Sequence, residues 1–125
     1  MKLELAKRLK EAGYESGSLY GWDKETEQRA DWASYIVSPG FPQEMADKLR
    51  DRWISEPDTD ELWEALKPLC AAKRLRLELV WGNNIGHHAC AYLVGEPAEF
   101  SCQGDSPAEA LAELWIAINN NDRKG

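Results

Sequence analysis

The spacing of apolar positions changes at Arg74, and the change divides the chain. Upstream, apolar residues recur every three or four positions, as on one face of a helix. Residues 2–12 predict a short helix with Leu5, Leu9 and Ala12 on one face and Gly13 at the C-terminal cap. A second helix is expected from Gln43 to about Ser55 (Met45, Leu49, Trp53). A third is expected from about Thr59 to Ala72 (Leu62, Leu66, Leu69, Cys70). Asp58, Asp60 and Glu61 suit the positive end of that third helix, and Pro68 should kink or divide it. Between the first two helices, Leu19–Trp22 and Trp32–Val37 read as strands joined by the charged loop Asp23–Asp31, a loop that equally suits the start of a helical turn, and Ser38-Pro-Gly-Phe-Pro42 punctuates the chain.

From Leu75 the period becomes two. Leu75, Leu77, Leu79 and Trp81 alternate with Arg76, Glu78 and Val80, the pattern of a half-buried strand. Gly82–Gly86 reads as a turn, His88–Val94 as a second strand, Gly95–Pro97 as another turn and Ala98–Gln103 as a third strand. The run 101–118 organises this half of the chain. Ser106 is a natural N-cap, Pro107 fits the first helical position, and Glu109 completes a Ser-x-x-Glu capping box. Leu111, Leu114, Trp115 and Ile118 then mark one buried helical face. The expectation is a single α+β domain: an antiparallel sheet of three to five strands with helices packed on it. It comprises a helical, aromatic-rich N-terminal region (residues 1–72), a βββα unit (73–119) and a fraying polar tail (120–125).

Charge sharpens this division. The chain of 125 residues carries a net charge of −7. Its C-terminal half supplies the imbalance: from Leu77 to Asp122 the acids are Glu78, Glu96, Glu99, Asp105, Glu109, Glu113 and Asp122, with no Lys or Arg among them. Such a surface is unsuited to direct nucleic-acid binding, which needs cations to displace counterions. No apolar run is long enough to span a bilayer, and Met1-Lys-Leu-Glu-Leu is no signal-peptide core, so a cytoplasmic protein without a membrane partner is expected.

Candidate chemistry is sparse. Strand parity puts His88, and not His87, on the same side as Cys90, but neither CxxC nor HxxxH spacing supplies further ligands. Gly13, Gly17 and Gly21 follow a helix and lack a Gly-Lys-Ser/Thr, so they make no phosphate loop. Cys70, Cys90 and Cys102 read as reduced thiols. No catalytic, metal or cofactor residues are assigned, and an enzyme is not expected. Of the tryptophans, Trp53, Trp81 and Trp115 lie on apolar stripes and read as core; Trp22, Trp32 and Trp63 have less obvious burial and are candidates for a protein-binding surface.

Two stretches carry a resemblance. Glu4-Leu-Ala-Lys-Arg-Leu-Lys-Glu-Ala-Gly-Tyr14 and Gly104-Asp-Ser-Pro-Ala-Glu-Ala-Leu-Ala-Glu-Leu-Trp-Ile-Ala-Ile-Asn119 resemble the two ends of small tailed-phage and prophage proteins. In those proteins a helical opening ending EAG(F/Y) leads to a closing G-(S/D)-(T/S)-P-x-E-A-x-A-x-L-W-x-A, and no chemistry comes with the family. Their usual aromatic-poor helix is replaced here by the Trp-rich segment 43–70. The closing motif is also similar to that of HicB-type antitoxins, whose strand ends in Gly-Asp-Thr before a Pro-Glu-Glu-Ala helix. That similarity implies a partial double-stranded-RNA-binding-like βββα fold over 75–118 and direct contact with a small basic RNase. The family's usual first strand and its Pro-Gly-Cys are absent here.

The expected role is therefore that of a phage-type accessory protein that binds and inhibits a basic host protein, such as a nucleic-acid-binding complex. The anti-CRISPR or another anti-defence kind would suit it. A HicB-like antitoxin is the alternative, and a small enzyme or metal protein the third. The expected contact surface is the outer arc of the last helix. Glu109, Glu113 and Ile116 fall within it, Glu99 and Asp105 extend its field, and Trp22, Trp32 and Trp63 are further contact candidates in the aromatic-rich region. Ile116 among carboxylates also fits a face covered by a neighbouring helix or a second subunit, which leaves a homodimer open.

Overall fold

A computed structural model describes residues 1–16, 18, 20–31, 53–82 and 86–124. Three helices and six strands are seen among them: α1 (Leu3–Glu11), β1 (Tyr20–Asp23), β2 (Arg29–Asp31), β3 (Trp53–Ser55), α2 (Thr59–Ala72), β4 (Arg76–Gly82), β5 (Gly86–Tyr92), β6 (Ala98–Gly104) and α3 (Pro107–Lys124). The class is α+β. The strands form two three-stranded antiparallel sheets, ordered β2-β1-β3 and β4-β5-β6, so the early strands do not extend the later sheet.

The first helix forms where its pattern places it. Leu5, Ala6 and Leu9 are buried, Glu4 stands in its first turn, and Arg8 and Lys10 stand in its last. The amides of Gly13 and Tyr14 return to the carbonyls of Lys10 and Leu9, closing the helix with a Schellman motif. The burial of α1 is divided between two cores. Leu5, Leu9 and Ala12 enter the main core, while Ala6 packs with Trp22 and Ile54 in a smaller one. This nine-residue helix thereby joins the two sheets.

Several expectations change. The second strand begins at Arg29, inside the predicted loop, because Asp23 folds the chain back early: its carboxylate accepts the Glu25 amide and its carbonyl the Glu27 amide. Residues 32–37 and 43–52, with the punctuation at 38–42, lie outside the described residues. The predicted end of the second helix is instead β3, paired with β1 through Trp22↔Ile54 and Asp23↔Trp53. Lys10 Nζ holds the Trp53 carbonyl at 2.6 Å, and Ile54 is buried, so tertiary pairing overrides the helical spacing there. The helix α2 runs through Pro68 undivided. Pro68 and Glu64 are both exposed, where solvent can take the carbonyl that loses its partner. Asp58 caps α2 by accepting the Glu61 amide at 2.8 Å.

The βββα unit is as predicted, with edges shifted by a residue or two. Arg76↔Tyr92 through Gly82↔Gly86 pair without interruption, and β6 adds to β5 with a bulge opposite Tyr92. Leu77, Leu79, Ala89, Ala91, Phe100 and Cys102 take the side facing α3, which buries Leu111, Leu114 and Ile118. The expected polar tail is helical to Lys124. Asn119 is no free polar residue: its Nδ2 donates to the Ala12 carbonyl at 2.9 Å, anchoring α3 beside the end of α1.

Gly104 marks the place where β6 and α3 approach each other. A Cβ there would stand 2.4 Å from the Ala110 nitrogen and 2.7 Å from the Glu109 carbonyl carbon, both backbone atoms that cannot swing aside. Gly104→Ala is expected to destabilise the fold by about 1–3 kcal/mol, the range for overpacking. Urea denaturation checks it, and an unchanged midpoint would contradict the close approach.

Candidate functional site

The outer arc of α3 is not free. Lys2 meets Asp105 at 2.6 Å, Arg8 forms a two-pronged pair with Glu113 at 2.6 and 3.1 Å, and Asn119 meets Ala12. This order shows α1 lying parallel to α3 and along it. Glu109 sits beneath the beginning of both helices and is 7% exposed. Its Oε1 accepts the Lys2 amide at 2.9 Å and its Oε2 the Asp105 amide at 3.2 Å. Its own amide donates to Ser106 Oγ at 3.2 Å, so half of the predicted capping box forms as expected. The carboxylate half reaches one residue further back and across to α1. Two helix starts converge on one carboxylate, a favourable place for an anion.

The predicted contact residues fare differently. Glu109 and Ile116 are buried and Trp22 is only 5% exposed, which corrects their assignment to a contact surface. The reason is the same throughout: α1 covers the arc of α3 with one side and Trp22 with the other. The Trp22 ring also carries the Arg29 guanidinium 4.9 Å above it. Trp63 is half-buried against the main core, and Trp32 lies outside the described residues. Glu113 is partly exposed and Asp105 is exposed, but each has its cation from α1 or its N-cap. The hydrogen bond to Lys2 and the charge of Lys2 hold Asp105 below its ordinary carboxylate pKa. Of the predicted contact acids, Glu99 alone stands exposed with no cation paired to it among the described residues.

Trp81 departs from its predicted core position in the other direction. It lies on the α3 side of the sheet by parity, yet is 63% exposed, with the His87 ring 6.3 Å away. Trp115 is partly buried and meets Tyr14 edge-on, ring centres 5.0 Å apart. A cleft of about 370 Å³ lies between the end of α1 and β3, beside Lys10, Tyr14, Ser16 and Trp53. Tyr14 and Ser16 both donate to Glu61 there. Burial and then the Glu61 carboxylate push the Tyr14 hydroxyl far above its ordinary value, so it stays protonated and offers no base near neutrality.

The side of the β4-β5-β6 sheet away from α3 presents exposed Arg76, Glu78, Ser101 and Gln103 around half-buried His88 and Cys90. Cys90 Sγ is 3.6 Å from Ser101 Oγ, and the Glu78 carboxylate raises the Tyr92 hydroxyl pKa through a hydrogen bond. His88 and Cys90 do share this side, as parity requires. Cys102 faces the opposite side, where burial chiefly raises its thiol pKa, and Cys70 is likewise raised by burial. Among the described residues no three His, Cys, Asp or Glu gather to hold a metal ion, and no helix is long and apolar enough to cross a membrane.

One feature was hidden in the sequence. The predicted strand His88–Val94 stops at Tyr92, and Leu93 to Glu96 form a tight turn closed by the Glu96 amide on the Leu93 carbonyl. Gly95 has φ of 84°, as the third residue of a type II turn requires. Val94 is thereby lifted to the tip and is 69% exposed, with Leu93 at 38%. Glu96 and Glu99 follow this apolar pair in the chain, and both are exposed. Gly95–Pro97 does read as a turn in the sequence, but the strand pattern carried on to Val94 hides the exposure of Leu93 and Val94. Comparison with protein-family models, with curated proteins and with solved structures gives no match for this chain.

Proposed function

We propose that this protein works by binding another protein, and that the β5–β6 turn is the contact point for a basic partner. The observation that carries the reading is the turn itself. Leu93 and Val94 are exposed beside Glu96 and Glu99, which have no paired cation among the described residues, whereas Asp105, Glu109 and Glu113 are bonded to the N-terminal segment and α1. An exposed apolar tip followed by two unpaired carboxylates offers burial at a contact together with electrostatic steering. The resemblance to phage proteins makes inhibition of a host protein, including the anti-CRISPR or other anti-defence kind, the role we favour. The HicB-like antitoxin reading keeps one specific support, the succession β4-β5-β6-α3 after a helix.

Glu96→Lys with Glu99→Lys tests the contact. Tagged parent chain is expected to retain a basic protein from nuclease-treated bacterial lysate at low salt and release it as salt rises. The double variant should retain at least about tenfold less at an unchanged melting temperature, because exposed carboxylates act on association more than on folding. Equal retention by the two chains would refute the turn as the contact. A captured small basic RNase would favour the antitoxin reading over the inhibitor.

A further inference from the structure

The two outer strands of the β4-β5-β6 sheet differ in how open they are to further pairing. The β6 edge follows Pro97 and carries the bulge opposite Tyr92. The β4 edge has neither device: seven residues run in unbroken register against β5, and among the described residues β5 is its one partner. A straight edge of this length, without proline or bulge, is a template for another strand. Its α3-facing side is also incompletely covered, for Leu77 and Leu79 are half-buried and Trp81 stands mostly in solvent. Arg76 and Glu78, both exposed, alternate on the other side.

We propose that β4 pairs antiparallel with β4 of a second copy of this chain, about a two-fold axis normal to the sheet at Leu77. Facing residues in an antiparallel pair lie on the same side of the sheet, which leaves a small choice of registers. With the axis at Leu77, Arg76 of each copy faces Glu78 of the other, and Leu75 faces Leu79. With the axis at Glu78, that carboxylate faces itself. With the axis at Leu79, Arg76 faces Gly82 and Glu78 faces Val80, so neither charge meets its opposite. Charge complementarity therefore selects Leu77. The result is a continuous six-stranded sheet whose two apolar margins adjoin. The β5–β6 turn follows Tyr92, the partner of Arg76, but Glu96 and Glu99 are not among the residues that face each other across this seam, so separate substitutions test the dimer and the proposed contact.

Sedimentation equilibrium of the full chain from about 1 μM to about 1 mM tests it, a range that spans weak and moderate association. The parent is expected to show a monomer–dimer equilibrium. Arg76→Glu sets Glu against Glu twice, and Glu78→Lys sets Arg against Lys twice. Each should weaken the dimer about tenfold, since cross-strand charge pairs act in both senses. The double variant R76E/E78K restores opposite charges and should return to within about threefold of the parent. An equimolar mixture of the two single variants should form a mixed dimer, because each supplies the charges the other lacks. A parent that stays monomeric throughout overturns the proposal. So does a parent dimer indifferent to the single changes, or one that neither the double variant nor the mixture restores.

Discussion

Glu109→Lys is expected to cost about 3–5 kcal/mol, the range for removing one partner of a buried charged arrangement. The change takes an acceptor from the Lys2 and Asp105 amides and sets an ammonium group against the positive starts of α1 and α3, beside the amino group of Met1 at 3.9 Å. Glu109→Gln retains one carbonyl oxygen and should cost less, about 1–2 kcal/mol. The comparison with Glu113→Lys, one turn along the same helix, separates burial from charge. Arg8 is exposed and Glu113 partly so, so losing that pair should cost less than about 1 kcal/mol. Chemical denaturation measures all three. If Glu109→Lys lies within about half a kcal/mol of the parent, the carboxylate is not the joint described here.

Leu114→Ala should remove about 2–5 kcal/mol, with the outcome toward the upper end. Leu114 is fully buried at the middle of α3. The central strand beneath that helix offers Ala89 and Ala91, side chains too short to move into the space left behind. A cavity that cannot collapse keeps its full penalty, since the lining atoms lose their dispersion contacts without gaining others. Urea denaturation at constant slope checks it. A loss below about half a kcal/mol would mean that α3 presents a different face to the sheet.

These two residues also mark the boundary of what the amino-acid order alone makes legible. For Leu114 the sequence was enough. The i, i+3, i+4, i+7 spacing through Ile118, the Ser106-Pro107 start and the alternation from Leu75 are local patterns, and local patterns determine an element's type and its buried side. The α+β class, α1, α2 and the βββα unit were legible for the same reason. Glu109 was legible only to a degree. Its amide finds Ser106 as the capping pattern says, but its carboxylate bonds to Lys2, far away in the chain.

Helical geometry put Glu109, Glu113 and Ile116 on one arc; it could not say whether water or another helix lies over that arc. The charge excess of the C-terminal half misled in the same way, because the cations that balance Asp105 and Glu113 come from Lys2 and Arg8 at the start of the chain. Trp22 and Trp81 exchanged their expected surroundings since tryptophan is equally at home in a core and at a margin. The sequence by itself determined the elements and the side of each that repels water. Tertiary structure alone decided which polar side stays uncovered. Coverage depends on contacts between residues far apart in the chain, and no local period records them.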